Sequence, residues 1–159
     1  MRVIVAVVGK PRDRDLASAI RHYEGRAARY WPLDVYEVKE ESARSAPAEI
    51  VREREGERLT ARLTQRSVAR AQIVACDAAG EQLTSEEFSA WLAQERERAR
   101  ADVAFVIGGA YGLSPRLRDA AERRLSFSRW TLPHELARLV LAEQLYRAGT
   151  IVRGEPYHK

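Results

Sequence analysis

Two short segments hold residues whose types and order can do chemistry. The first is Gly108-Gly109-Ala110-Tyr111-Gly112, followed by Leu113-Ser114-Pro115. Three glycines in five positions let a backbone turn sharply and approach a ligand with no Cβ in the way. On spacing alone, a plain tight turn and a ligand loop are both open. The second segment runs from Phe127 to Leu132 into Pro133-His134. His134 then falls in the first turn of a helix, where the dipole favours a neutral ring; a capping or packing histidine is the other reading. At the chain's end, Tyr157-His158-Lys159 sets a stacking ring, a titratable ring and a cation side by side, a combination suited to an RNA base and its phosphate. Cys76, inside an apolar run, reads as a small hydrophobe rather than a nucleophile.

Other chemistries find less support. The glycines read Gly-Gly-x-x-Gly after a fourth strand, and no acidic residue closes a strand about 20 positions on, as a dinucleotide fold requires. No Gly-Lys-Ser/Thr follows, so a P-loop is excluded. Ser114, Ser126 and Ser128 lie in no GxSxG elbow. A single cysteine rules out an internal disulfide, and His22, His134 and His158 lack metal-ligand spacing, so no metal is expected. The net charge is +4, and of the 27 basic side chains only Lys10, Lys39 and Lys159 are lysine. Arginine favours bidentate phosphate contacts, which makes nucleic acid a reasonable partner.

These residues need a scaffold. At 159 residues, 45% apolar and 31% charged, the chain fits one soluble domain. No apolar run approaches the ~20 residues of a membrane span, and Met1 to Gly9 reads as a first strand rather than a signal peptide, so a cytoplasmic protein is expected. Val3 to Val8 is a continuous apolar run of the kind buried on both faces of a parallel sheet. Asp13 or Asp15 caps a helix to about Tyr30, with Leu16, Ala19, Ile20, Tyr23 and Ala27 inward. Trp31-Pro32 ends it. Leu33 to Val38 alternates at period two, as a half-wet strand does.

A loop from Lys39 to Ala46 leads to a helix opened by Ser45 and Pro47, with Ile50, Leu59 and Leu63 on its sparse apolar side. The charge run Arg52 to Arg58 reads as a solvated helix face, or as a surface touching RNA. Ala71 to Asp77 is the third strand, closed by Ala79-Gly80. Thr84 and Glu87 form a capping box for a helix carrying Phe88, Trp91 and Leu92. Val103 to Ile107 is the fourth strand, and Leu117, Ala120 and Ala121 mark a short helix. Leu125 to Trp130 is a fifth strand or an extended loop. The last helix, Pro133 to about Ala148, is apolar nearly all round, so it is central or covered by a partner chain. Its Glu143 and Arg147, at i and i+4, either mark a subunit interface or pair internally. The alternation of strands and helices predicts one α/β domain over 1–159, a mostly parallel sheet flanked by helices. Ligands of such sheets bind beyond the strands' carboxyl ends, where Gly108-Gly109 and Asp77 both fall.

Four blocks carry a resemblance. They are Phe105-Val106-Ile107-Gly108-Gly109-x-x-Gly112-Leu113-Ser114; Leu125-Ser126-Phe127-Ser128-x-x-Thr131-Leu132-Pro133-His134; Arg138 to Tyr146-Arg147; and Pro156-Tyr157-His158-Lys159. In order and spacing they resemble the ribosomal RNA large subunit methyltransferase H family, of the SPOUT class of trefoil-knotted methyltransferases. The resemblance implies a SPOUT-type fold with a C-terminal trefoil knot. It also implies an S-adenosyl-L-methionine-dependent homodimer that methylates N3 of a pseudouridine in 23S rRNA within the ribosome. The family's cofactor positions fall on Cys76, Gly108, Phe127, Ser128, Arg129, Trp130, Thr131 and Leu132. His134 or His158 would assist loss of the base's proton, and Tyr157, His158 and Lys159 would engage RNA. Cys76 stands where a leucine is expected, and Ala110-Tyr111 replaces the usual Pro-x. The alternative is a knotted ribosome-binding protein without catalysis.

Overall fold

Six consecutive aliphatic residues, Val3–Val8 (β1), are all buried, which a strand achieves only with helices on both faces of its sheet. The computed structural model describes residues 1–42, 44, 46–65, 68, 70–98 and 101–158, the side chain of His158 excepted. In it, β1 is followed by α1 (Arg14–Ala27), β2 (Leu33–Val38), α2 (Ala48–Leu63), β3 (Gln72–Glu81) and α3 (Ser85–Arg98). Then come β4 (Val103–Ile107), α4 (Pro115–Ala120), β5 (Arg123–Leu125), α5 (His134–Val152) and a terminal 3-10 turn, Pro156–His158. The strands make one sheet in the order β2-β1-β4-β3-β5, and every pairing is parallel. This is the α/β architecture the alternation predicts.

Period-two geometry sends alternate residues of β1 and β4 to opposite faces. Val3, Val5, Val7, Val103, Phe105 and Ile107 share a core with Trp31, Leu92, Leu141 and Leu145, on the face covered by α1, α3 and α5. Ile4, Ala6, Val8, Ala104 and Val106 meet Leu59, Leu63 and Leu117, from α2 and α4. The predicted start signals operate. Asp13 Oδ1 accepts from the amides of Asp15 and Leu16 at 2.9 and 2.8 Å. In the capping box, Thr84 N donates to Glu87 Oε2 at 2.8 Å and Glu87 N to Thr84 Oγ1 at 3.1 Å.

Four expectations change. β3 does not close at Ala79-Gly80 but continues to Glu81, with a register shift that sets both Cys76 and Glu81 opposite Leu125. A bulge of this kind cannot be read from apolar patterning. β5 is only three residues long, so Ser126 onward is loop. On α2 the buried positions are Val51, Glu55, Gly56, Leu59 and Leu63, whereas Ile50 is exposed. Leu59 and Leu63 face inward as expected, and Val51 takes the place expected of Ile50. α5 runs past Ala148 to Val152. Of the two expected openers of α2, Pro47 occupies the cap position and Ser45 lies outside the described residues.

After β5, at the sheet edge, the chain returns to the middle of the molecule, where α5 packs on α1 and α3 and beneath β1 and β4. Loop 126–133 makes that return. Arg138, 6% exposed, fixes where α5 lands: its Nε donates to Glu24 Oε1 of α1 at 2.8 Å and its Nη1 to Glu37 Oε1 of β2 at 2.7 Å. Burial works against the guanidinium charge, yet the bonds to Glu24 and Glu37 outweigh it and hold the pKa above its usual value. Glu143 and Arg147 pair within the helix at 2.7 Å. Removing one partner of a buried pair strands the other's charge. Arg138→Ala is therefore expected to lower the unfolding free energy by about 3–5 kcal/mol. Arg124→Ala, which frees the half-exposed Asp119 pair, should cost at most about 1 kcal/mol. Equal losses in urea unfolding would contradict this assignment.

Candidate cofactor cavity and active site

Three segments end on the same side of the sheet: the Cys76-Asp77-Ala78 bulge of β3, the turn 107–113 after β4, and the loop 125–132 after β5. Together with His134 and Ala137 of α5, and with Arg52 and Arg118, they enclose a cavity of about 370 Å³. That volume lies at the lower end of the ~300–1,000 Å³ of small-molecule sites. The position, beyond the carboxyl ends of parallel strands, is where open α/β sheets bind ligands.

The glycine segment is a tight turn, and it lines the cavity. Gly112 N donates to Gly109 O at 3.0 Å and Gly112 has φ +77°, the left-handed region that glycine tolerates. A Cβ on Gly108 would lie 2.5 Å from the carbonyl carbon of Gly112, so closure of the turn itself demands glycine there. A Cβ on Gly112 would meet nothing within 4 Å. The turn is thus closed on its inside and open at Gly112, and Ala110 and Tyr111 line the cavity beside its glycines. Ser114 then caps α4, its Oγ accepting from Leu117 N at 3.4 Å.

Of the sequence-derived cofactor positions, Cys76, Gly108, Phe127, Ser128, Trp130, Thr131 and Leu132 all line the cavity. Arg129 is exposed and does not line it. Burial pushes the Cys76 thiol pKa well up, so the sulfur stays protonated and serves as an apolar wall rather than a nucleophile. Two serine hydroxyls pin the loop: Ser126 Oγ donates to the carbonyl of Ser128 at 2.8 Å, and Ser128 Oγ accepts from Trp130 N at 2.9 Å. His134 also lines the cavity. Its Nε2 stands 3.3 Å from where a Cβ of Gly9 would lie, against the end of β1. Next to it, Glu135 Oε1 accepts from Arg12 N at 3.0 Å, tying the first turn of α5 to the loop after β1. Among the described residues, no group of three or more His, Cys, Asp or Glu could hold a metal ion.

Of the tail residues, Tyr157 lies apart from this wall. Tyr157 does not line the cavity; its ring is 4.5 Å from that of Tyr146, with the Arg147 guanidinium 5.0 Å above it. Its hydroxyl donates to Glu143 Oε1 at 3.2 Å and lies 3.5 Å from the Tyr23 hydroxyl. Burial, reinforced by the bond to Tyr23 and the Glu143 charge, raises the phenol's pKa and keeps it protonated. The His158 side chain and Lys159 are outside the described residues.

Sequence reasoning missed Glu55. It lies in the charge run read as a solvated face, but it is 2% exposed. Its Oε1 accepts from Glu41 N at 3.0 Å, and its Oε2 has no partner among the described residues. Oε2 would sit 2.6 Å from a Cβ on Gly109, so this carboxyl backs the glycine turn. The available signal was spacing: Val51, Glu55 and Leu59 fall four apart, on one helix face. Desolvation raises the Glu55 pKa, only partly offset by the Glu41 amide. A carboxyl whose proton is held more tightly folded than unfolded gives its full stability below the unfolded value, and loses it as pH rises through the folded one. Glu55→Gln keeps an acceptor for Glu41 N and carries no charge. It is expected to match the parent's stability near or below pH 4.5, the group's ordinary value, and to exceed it increasingly as pH rises. Parallel stability curves for the two proteins across that window would contradict a buried, proton-retaining Glu55.

With the geometry in place, comparison with known proteins is informative. A family model described as "Predicted SPOUT methyltransferase" matches residues 1–158. "Ribosomal RNA large subunit methyltransferase H" of Gemmatimonas aurantiaca is 63% identical over 159 residues, covering 100% of both chains. The protein of the same name from Geotalea uraniireducens is 42% identical over 158 residues, 99% of each. Among solved structures, a probable methylase family protein from Haemophilus influenzae aligns with TM-score 0.56 at 14% identity, covering 99% of this chain and 70% of that one. A probable methyltransferase from Bordetella pertussis aligns with TM-score 0.53 at 14% identity, covering 92% and 95%. At that identity the structures speak to the fold alone. The full-length match to the family model and to close relatives shows that the chain belongs to the ribosomal RNA large subunit methyltransferase H family of SPOUT methyltransferases.

Proposed function

We propose that this chain methylates ribosomal RNA, transferring the methyl group of S-adenosyl-L-methionine to N3 of a pseudouridine in 23S rRNA. In this reading it works as a cytoplasmic homodimer on the large subunit of the ribosome. The observation that carries it is the cavity where β3, β4 and β5 end, walled by the glycine turn and loop 125–132 and reached by His134. Its donor set fits the cofactor. Cys76, Ile107, Leu125, Phe127 and Leu132 offer apolar contact for an adenosyl group, and the glycines of the turn, with open space where a Gly112 Cβ would stand, allow close approach. Arg52 lines the cavity with its Nε buried and without a partner among the described residues, a donor suited to an anionic group such as the methionyl carboxylate.

When bound, S-adenosylmethionine supplies an electrophilic methyl group on a sulfonium. The residues of this chain would hold and orient it: the segment 127–132 and Gly108, with Cys76 packing alongside. Alignment of the reacting atoms removes several kcal/mol from the barrier. N3 carries a proton that must leave before its lone pair can form the new N–C bond. His134 is the group at the cavity that accepts or guides that proton, with His158 of the tail as the second candidate; Tyr157 and Lys159 engage the RNA base and backbone. A chain this small has little surface to clamp RNA alone, so the second copy and the ribosome supply the rest.

Mass spectrometry of 23S rRNA from cells with and without this protein tests the reading: one missing methyl on one pseudouridine is expected. An unchanged modification pattern would overturn it. For the proton, His134→Ala is expected to slow single-turnover methyl transfer on ribosomes by about 10²–10⁴-fold with cofactor affinity kept. If His134→Ala and His158→Ala both transfer at the parent's rate, neither imidazole handles that proton.

A further inference from the structure

Trp130 is 81% exposed, while the other large apolar side chains that reach the surface among the described residues, Ile50, Tyr111 and Leu136, are exposed by 36–43%. An indole left in water forgoes a large burial gain, so its placement needs a cause. A ligand in the cavity would cover only the part of the indole that lines it. Phe127 and Leu132 of the same loop are packed against the core, and the loop's backbone can hold a ligand without the indole. The backbone that carries the ring is held in place: Ser128 Oγ accepts from Trp130 N, and Ser128 O accepts from Ser126 Oγ. The ring is presented outward on a fixed support, at the edge of the cavity it lines.

What surrounds it is aromatic and cationic. Tyr111, from the glycine turn, lines the same cavity and is 39% exposed. Arg129 is its exposed neighbour in the chain, and Arg118 stands in the cavity wall, 3.5 Å from Asp77. Aromatic faces between guanidinium groups are how proteins grip unpaired nucleotides, the rings stacking on bases and the cations meeting phosphates. A second copy of the chain is a poorer occupant. Contact through this face about a two-fold axis would set the same arginines against one another, with few aliphatic side chains to compensate.

We propose that Trp130 is an RNA-positioning residue: its indole stacks on a nucleobase of single-stranded RNA at the cavity lip, with Tyr111 flanking it. This rests on the RNA-methylating reading and deepens it, assigning to one side chain of a cofactor-holding loop a contact with the substrate.

The test compares the parent with Trp130→Ala and Trp130→Phe, using a fluorescently labelled RNA hairpin with an unpaired loop in polarisation titrations. Cofactor affinity is followed by calorimetry and mass in solution by light scattering. Trp130→Ala is expected to weaken RNA binding by about 5- to 150-fold, the range a stacked base contributes, and Trp130→Phe to recover part of it. Because the indole is uncharged, the slope of affinity against salt should not change. Mass should match the parent, and RNA affinity measured without cofactor separates the stacking loss from any change in cofactor affinity. Undiminished RNA binding by Trp130→Ala would overturn the stacking role while leaving methylation by the parent intact. Loss of self-association in that variant would make Trp130 a contact between copies and overturn it too. A parent that neither binds this RNA nor methylates ribosomes would instead remove the functional reading on which the proposal stands.

Discussion

A buried guanidinium sets the position of the last helix, and the cavity follows from that position. Arg138 reaches from α5 to α1 and to β2 at once, so the helix cannot slide or rotate without stranding at least one charge. His134 is four residues upstream, one helical turn away, and its place against the end of β1 is inherited from that anchor. The loop before it must then span from the edge strand β5 to the centre of the fold. That span forms one wall of the cavity.

The parts of the fold that local chemistry decides were legible in the sequence. Val3 to Val8 and Val103 to Ile107 announce central strands because no polar residue interrupts them. Asp13 and the Thr84–Glu87 pair act within a few residues of where they stand. The bulge in β3 was not legible, since it depends on how a three-residue strand 42 or more positions away chooses its register. Glu55 was hidden for a similar reason. A glutamate among arginines reads as solvated until the glycine turn, more than fifty residues later, is folded against it.

At the candidate site, the sequence pointed to the segments more clearly than to the roles within them. Gly108 and Gly112 differ although their neighbours look alike. One is needed because another piece of the turn occupies the space of its side chain; the other because its backbone turns left-handed. Phe127 and Trp130 sit three residues apart on one loop, and one faces the core while the other faces solvent. Hydropathy cannot separate them; the packing of Phe127 against the core does.

The docked end of the chain bears on the thermodynamics of recognition. Terminal residues ordinarily lose backbone and side-chain freedom when a partner captures them, a loss on the order of 1–2 kcal/mol per residue for the backbone alone. Here Tyr157 already rests on Tyr146 beneath Arg147, hydrogen-bonded to Glu143, and the residues beside it form a 3-10 turn. For Tyr157 that ordering is already present in the chain by itself. A partner meeting this end would find a preformed surface, and its binding enthalpy would not be spent on folding the tail.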